Sequence, residues 1–286
     1  MITAACITAA CIIATTCAPA NADDGLRHHQ FTAGETLNYF YEDTDTTFST
    51  KTQDLTVQAD DPFQIQEIQI PVSIVIQKKD NANIRTLTLS PNAQYRSGSP
   101  KAISQLPFQP LAKLIQNFPT PFSYSYADNT QALEHLQDIF APVRKNEVGN
   151  FLFFKAQDIH QMQESAQKIP EGILPGQTNF TPRREREGFG GQFTVAAGQL
   201  VYQGTETFNG EKSAYFKVIS LSHVFTTSSF KTYTNFSFTM HVALEGPHQG
   251  LLLFGEGQET ATVFKIDGKV LHPAVVLQRQ FSIRLQ

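Results

Sequence analysis

The stretch "TYTNFSFTMHVAL", Thr232 to Leu244, decides the fold. Phe236, Phe238, Met240, Val242 and Leu244 occupy alternate positions, while Tyr233, Asn235, Ser237, Thr239 and His241 fill those between. Successive side chains of an extended chain point to opposite faces, so a period of two marks a half-buried antiparallel strand. At roughly 3.3 Å per residue it runs about 40 Å, well beyond an ordinary strand.

The neighbouring segments repeat the habit. Asn209-Gly210 lies between "LVYQGTETF" and "KSAYFKVISL", and Asp267-Gly268 between "TATVFKI" and "KVLHPAVVL". Both dipeptides tolerate the positive φ of tight hairpin turns, so the carboxyl-terminal third is expected to be an antiparallel meander. Val275, Leu277, Phe281, Ile283 and Leu285 hold one face to the end, with Arg279 interrupting them. The alternation slips between Phe216, Val218 and Ile219, Leu221, as one extra residue in a β-bulge would cause.

An earlier strand carries Ile68, Ile70, Val72, Ile74 and Ile76 in one phase and Phe63 and Ile65 in the other, which places a second bulge near Gln66-Glu67. Pro71, which donates no hydrogen bond, points to an edge strand or another irregularity. Long strands with bulges belong to curved sheets.

The middle breaks this pattern. Prolines at 91, 100, 107, 110, 119 and 121 exclude a continuous helix or an interior strand there. Leu133, Leu136, Ile139 and Phe140 then recur at helical spacing, with Asp128, Asn129 or Thr130 as N-cap and Pro142 as stop. A second helix is expected over Ala156 to Lys168, burying Ile159, Met162 and Ala166 and ending at Pro170 and Gly172.

The expected fold is thus mainly β (α+β): a long curved antiparallel sheet or half-barrel with a short helical insertion. A first β unit would span 23–95, a proline-rich connector with two helices packing on the sheet 96–180, and a second β unit 181–286. "FTAGETLNYFY", Phe31 to Tyr41, has an echo in "FTVAAGQLVYQG", Phe193 to Gly204. Either a β unit has been duplicated or two amphipathic strands resemble each other by chance.

Residues 1–22, "MITAACITAACIIATTCAPANA", carry no charged side chain and end in Ala20-Asn21-Ala22, the small-residue pattern of a signal peptide cleaved after Ala22. A basic n-region is missing. Thr3, Thr8 and Ala14 stand three positions before Cys6, Cys11 and Cys17, where a lipidated cysteine would need a bulky aliphatic residue. These are the only cysteines, so cleavage removes any disulfide framework, thiolate site or cysteine nucleophile. The expected location is secreted or periplasmic, and no later apolar run approaches the roughly 20 residues of a spanning helix.

The net formal charge is −4, and basic residues are scattered apart from "RRERE", Arg183 to Glu187. Nucleic acid requires a basic stripe, which is missing; the alternating run reads as a solvated linker.

Catalytic signals are equally sparse. The eight histidines include no helical pair at metal-binding spacing, although His223 and His241 would meet on the polar face if their strands pair. Asp43 with Asp45, Asp60 with Asp61, and Glu256 with Glu259 sit among Thr, Pro or Gly and read as solvated turn residues. "GEGQET", Gly255 to Thr260, lacks the lysine and helix of a phosphate loop and reads as a hairpin connection. No nucleophile elbow, His-Glu-x-x-His helix or Ser-x-x-Lys dyad occurs. No catalytic residues, metal or cofactor are assigned.

The positive peculiarity is 23 phenylalanines with no tryptophan. They either fill an aromatic core or line an apolar cavity between sheet and helices; in the second case Phe216, Phe236, Phe238 and Met240 are the lining residues. Phe31, Gly34, Glu35, Leu37 and Tyr39 form an "F-x-x-GE-x-L-x-Y" phrase that resembles the first strand of secreted bacterial β-rich proteins of uncharacterised function. A curved sheet closed over short helices also looks like the half-barrel of periplasmic lipoprotein carriers, a likeness of architecture alone. The expected function is an exported, non-enzymatic protein that binds an apolar ligand or an envelope partner. The rivals are a secreted hydrolase with a dispersed Asp/Glu/His site, a structural module, and an outer-membrane β-barrel.

Overall fold

The computed structural model describes residues 25–53, 56–79, 82–113, 122–127, 155, 159–160, 162–163, 165–167, 169–181, 184–188, 191–267 and 270–286. The segment 1–22, expected to be a signal peptide, and the helix expected near Thr130 to Phe140 lie outside them. The described strands form one antiparallel sheet. They are β1 (Thr36–Gln53), β2 (Thr56–Lys79), β3 (Ala82–Leu89), β4 (Gln94–Gly98), β5 (Gln109–Pro110), β6 (Phe122–Ala127), β7 (Thr178–Thr181), β8 (Arg184–Gly188), β9 (Gly191–Val195), β10 (Gly198–Phe208), β11 (Glu211–Thr226), β12 (Phe230–Ala243), β13 (Leu252–Asp267) and β14 (Val270–Leu285).

The meander expected at the carboxyl terminus is present as β10 to β14, each strand paired with the next. Asn209 and Gly210 take φ of 49° and 84° in the β10–β11 turn, the left-handed conformation the dipeptide permits. The two ends of the chain then meet in the middle of the sheet, where β14 pairs with β1 from Tyr39↔Leu285 to Ser49↔Val275. The spatial order β2-β1-β14-β13-β12-β11-β10 is therefore continuous.

Two long strands change partner along one edge. Strand β2 pairs along one edge with β1, and on its other edge with β4 over Ile65–Gln69 and β3 over Val72–Lys79. Pro71 falls at that join, and its carbonyl accepts a hydrogen bond from Ser90 N. In an antiparallel ladder a residue's N–H and C=O point to the same edge, so the missing N–H weakens no bond to β1, and the proline sits in an interior strand. Strand β11 does likewise, passing from β10 to β9 across the shift between Val218 and Leu221.

Three local expectations are corrected. The second bulge lies opposite Thr47 and Phe48, around Phe63, rather than at Gln66-Glu67; Ile65 simply faces the outer side of a continuous strand. Arg184 to Glu187 belong to β8, paired with β9, because an edge hairpin needs no apolar face to form its ladder. "GEGQET" lies inside β13. A Cβ on Gly257 would run into the Phe281 ring, and one on Gly255 would meet the Phe238 ring at 3.0 Å. The glycines there make room for cross-strand rings instead of making a turn.

Register stacks the core into layers on the sheet's inner face. The first runs Ile70, Tyr41, Ile283, Gly255, Met240, Phe216, Tyr202 across seven strands. The next runs Ile68, Asp43, Phe281, Gly257, Phe238, Val218, Leu200. The described residues between 155 and 167 are helical, and Ile159, Met162 and Ala166 are buried in the same cluster as these strands. His160 on this helix packs edge-on against Tyr126 of β6 at 4.4 Å. Leu37 and Tyr39 of the first echo phrase and Leu200 and Tyr202 of the second belong to this core or pack on it.

Candidate functional site

The third inner layer is chemically different. In register it reads Gln66, Asp45, Arg279, Glu259, Phe236. Asp43, one layer nearer the apolar end, has a fully buried side chain, and its Oδ2 accepts from Lys155 Nζ at 2.5 Å, Arg279 Nη2 at 2.5 Å, Arg279 Nε at 2.8 Å and Tyr41 OH at 2.6 Å. Lys155 also reaches Asp45 at 2.8 Å, and Arg279 reaches Glu259 at 3.4 Å. The Arg279 guanidinium stacks over Phe281 at 4.7 Å. Two cations from β14 and the helix thus meet three carboxylates from β1 and β13.

Burial alone would push the Asp43 carboxyl up, but Arg279 and Lys155 outweigh it and hold it below the ordinary carboxylate value. An ionised carboxylate already held by two cations and a phenol is unsuited to exchanging protons with a substrate. The arrangement fastens the helical segment to the sheet. Arg85 of β3 adds another tie by donating to Gln167 Oε1, and its guanidinium lies 4.5 Å over the Phe31 ring.

A second polar cluster occupies the opposite end of the helical segment. Residues 25–31 cross between the chain that follows the helix and the β12–β13 loop. Gly172 N donates to Leu26 O at 2.9 Å, and a Cβ on Gly250 would strike the backbone of residues 27–29. His28 Nε2 lies 2.7 Å from Ile169 O, and His28 N donates to Glu171 Oε1 at 2.9 Å. His29 Nδ1 lies 2.9 Å from Gln249 O and its Nε2 lies 2.6 Å from Glu35 Oε1. Glu35 Oε2 accepts from Thr32 N at 2.8 Å. Burial raises the Glu35 carboxyl, yet the bonds from Thr32 and His29 win and lower it. An open cleft of about 540 Å³ lies beside this crossing, lined by Arg27, His28, Gln30, Glu171 and Gln249 among others.

The sequence-expected site residues come together on one face. Phe216 and Met240 have no exposed surface, Phe238 is 3% exposed, and Phe236 is half-buried. Phe236 stacks with Phe238 and Phe281 at ring separations of 6.2 and 5.7 Å. His223 and His241 do not meet: His241 pairs with Tyr215 on the outer face, whereas His223 pairs with Thr234 on the inner one. The register sets the partner of His223 seven residues from His241 along β12, and the shift at Val218/Leu221 also puts the two on opposite faces. Among the described residues no group of three His, Cys, Asp or Glu side chains is placed to hold a metal. His241 instead stacks between Phe208 and Tyr215 at 4.7 and 4.9 Å, with Ser213 Oγ 3.2 Å from Nδ1. Burial lowers its pKa against the opposing pull of Glu206 and Glu256. Ser213 is fully buried, whereas His241 is half-buried.

Asp43, Asp45 and Glu259 correct the reading of these carboxylates as solvated turn residues, while Asp60 and Asp61 are exposed. The missed signal was phase, since Leu37, Tyr39, Tyr41, Asp43 and Asp45 occupy alternate positions of one strand.

No protein-family model matches the sequence, and no curated protein matches it. A solved structure concerned with lipid–protein interactions in lipovitellin is similar over 90% of this chain at 12% identity, with a TM-score of 0.40. This chain spans 25% of the lipovitellin chain. An outer membrane channel from Pseudomonas putida F1 is similar over 91% of this chain and 98% of its own, at 8% identity and a TM-score of 0.23.

Proposed function

We propose that this chain is an exported, non-enzymatic protein that holds an apolar ligand of the acyl-chain class between the inner face of the sheet and the helical segment. The observation that supports this reading is the seven-strand apolar layer running from Ile70 to Tyr202, buried in one cluster with Ile159, Met162 and Ala166 of a segment held by polar contacts. Strand-to-strand pairing fixes the floor. The cover is joined to that floor by ion pairs and side-chain bonds such as Lys155–Asp43 and Arg85–Gln167. Past the ionic layer the same face carries Leu277, 37% exposed, which would offer an apolar ligand its first contact.

The test is native mass spectrometry and lipid extraction of protein purified without detergent. A co-purifying acyl compound, or saturable uptake of N-phenyl-1-naphthylamine, supports the reading. A ligand-free protein that ignores the probe sinks it. That result would favour a second reading, a structural module with a filled core, for which the seating of Phe281 over Gly257 and the complete burial of Phe216 and Met240 speak.

A further inference from the structure

We propose that residues 25–31 form a proton-dependent strap over the end of the helical segment, and that His29 is the group that sets it. Both ring nitrogens of His29 face atoms that only accept: a backbone carbonyl at Nδ1 and a carboxylate at Nε2. Neutral imidazole carries one N–H and one lone pair, so it satisfies one of these contacts and opposes the other. The imidazolium donates to both, and its bond to Glu35 is charge-assisted.

The other histidines at this end differ. His28 needs a proton only at Nε2, for Ile169 O, with Nδ1 lying 3.6 Å from Glu171. His248 needs one only at Nδ1, for Glu211. A neutral tautomer serves each of them. Among the described residues Glu35 at the start of β1 pairs with His29, and Arg27 and His28 flank it on its own segment; farther out Glu171 contacts His28, His248 next to Gln249 pairs with Glu211, and Arg85 of β3 lies over Phe31. His29 is 11% and Glu35 20% exposed, which shields the pair from screening by salt.

The segment bridges three parts that close the apolar core. Leu26 and Phe31 are in the core cluster, Leu26 O accepts from Gly172, and the backbone of 27–29 lies against Gly250. Loss of the His29 proton loosens this bridge where the helical segment rejoins the sheet. On the ligand-binding reading, and resting on it, the strap regulates access to the apolar layer: closed while the imidazolium donates to both Gln249 O and Glu35, loosened once that proton is lost.

Hydrogen exchange across residues 25–32 of the full chain, corrected for the intrinsic pH dependence of exchange, tests this at pH 5.5 and 8.5. Protection should fall about tenfold or more at the higher pH, the scale of one charge-assisted bond. Glu35→Gln should abolish that fall. Its amide oxygen can keep the Thr32 N–H bond while its NH2 donates to the lone pair of neutral His29, whose Nδ1–H still serves Gln249 O. Nitrogen-15 NMR of wild-type His29 gives a measurement independent of any variant: both ring nitrogens should be protonated at pH 5.5. Equal protection at the two pH values, a neutral ring at pH 5.5, or a Glu35→Gln protein that still loosens overturns the strap. N-phenyl-1-naphthylamine uptake in the same samples separates the two proposals, since loosening without uptake overturns ligand binding and leaves the strap standing.

Discussion

Two adjacent layers of the inner face, one strand step apart, solve the same burial problem by opposite means. Around Phe281, Gly257 and Phe238 the space is filled by rings laid over bare backbone. Around Arg279, Glu259 and Asp45, with Asp43 reaching in, it is filled by ions. The first arrangement is held by contact and desolvation and has no directional demand. The second is costly to assemble and costlier to half-dismantle. The comparison teaches where this protein can change shape: a ring layer separates only by exposing apolar surface, whereas an ionic layer separates when water and protons compete for it.

The sharpest way to break the contrast is to put a charge in the ring layer. Phe238→Asp places a carboxylate against Gly255 and Gly257, where rings fill the space, and should cost about 4 kcal/mol in denaturant unfolding. Normal stability would mean that a hydrated cavity adjoins Phe238. Asp43→Asn attacks the other layer. It takes a buried carboxylate away from Lys155, whose side chain is 4% exposed, and should cost about 3 kcal/mol. Gly257→Ala, which forces the Phe281 ring aside, should cost about 2 kcal/mol by the same measurement.

Much of the ring layer was legible in the sequence, and little of the ionic one. Alternation at Phe236, Phe238 and Met240 gives both strand and facing, because apolar residues are placed by burial alone. Helical spacing likewise places Ile159, Met162 and Ala166 on the covered side. Phase puts Asp43 and Asp45 on the inner face with Tyr41, but no local pattern says which cations they meet there. Asp43 and Arg279 are 236 residues apart and meet only because β1 and β14 pair, which local periodicity cannot reveal. Gly255 and Gly257 were misread for the same reason, since a glycine that makes room for a ring on another strand looks locally like a turn. His28 and His29 carry no local signal of their role, because their partners, Ile169, Gln249 and Glu35, come from three separate parts of the chain.

The pH response sharpens the contrast further. Asp43 is held below its unfolded value, so its contribution to stability is present above about pH 4 and is lost only as pH falls through the depressed folded value. The ionic layer should therefore withstand mild acid that leaves histidine charged. Urea midpoints that fall between pH 7 and pH 5 in wild type but not in Asp43→Asn would contradict this, because they would place the titration of Asp43 in the wrong window.

The smallest expected change in stability comes from removing the ionic layer as a whole. Asp43→Leu, Lys155→Met, Arg279→Met and Tyr41→Phe together convert it to the chemistry of its neighbour, with no buried charge left half-paired. Asp45 and Glu259 keep about a quarter of their side-chain surface in water and can hydrate. Whole replacement of a buried ion cluster by packed apolar groups is commonly neutral or favourable, so the quadruple variant should unfold within about 1 kcal/mol of wild type, or later, although Asp43→Asn alone is costly. The informative readout is then N-phenyl-1-naphthylamine uptake. If the ions serve to let the helical segment part from the sheet, the converted protein is stable and takes up the probe more slowly than wild type. Unchanged uptake in a stable quadruple variant would make the ionic layer a packing solution like the ring layer, and the contrast between them would lose its functional meaning.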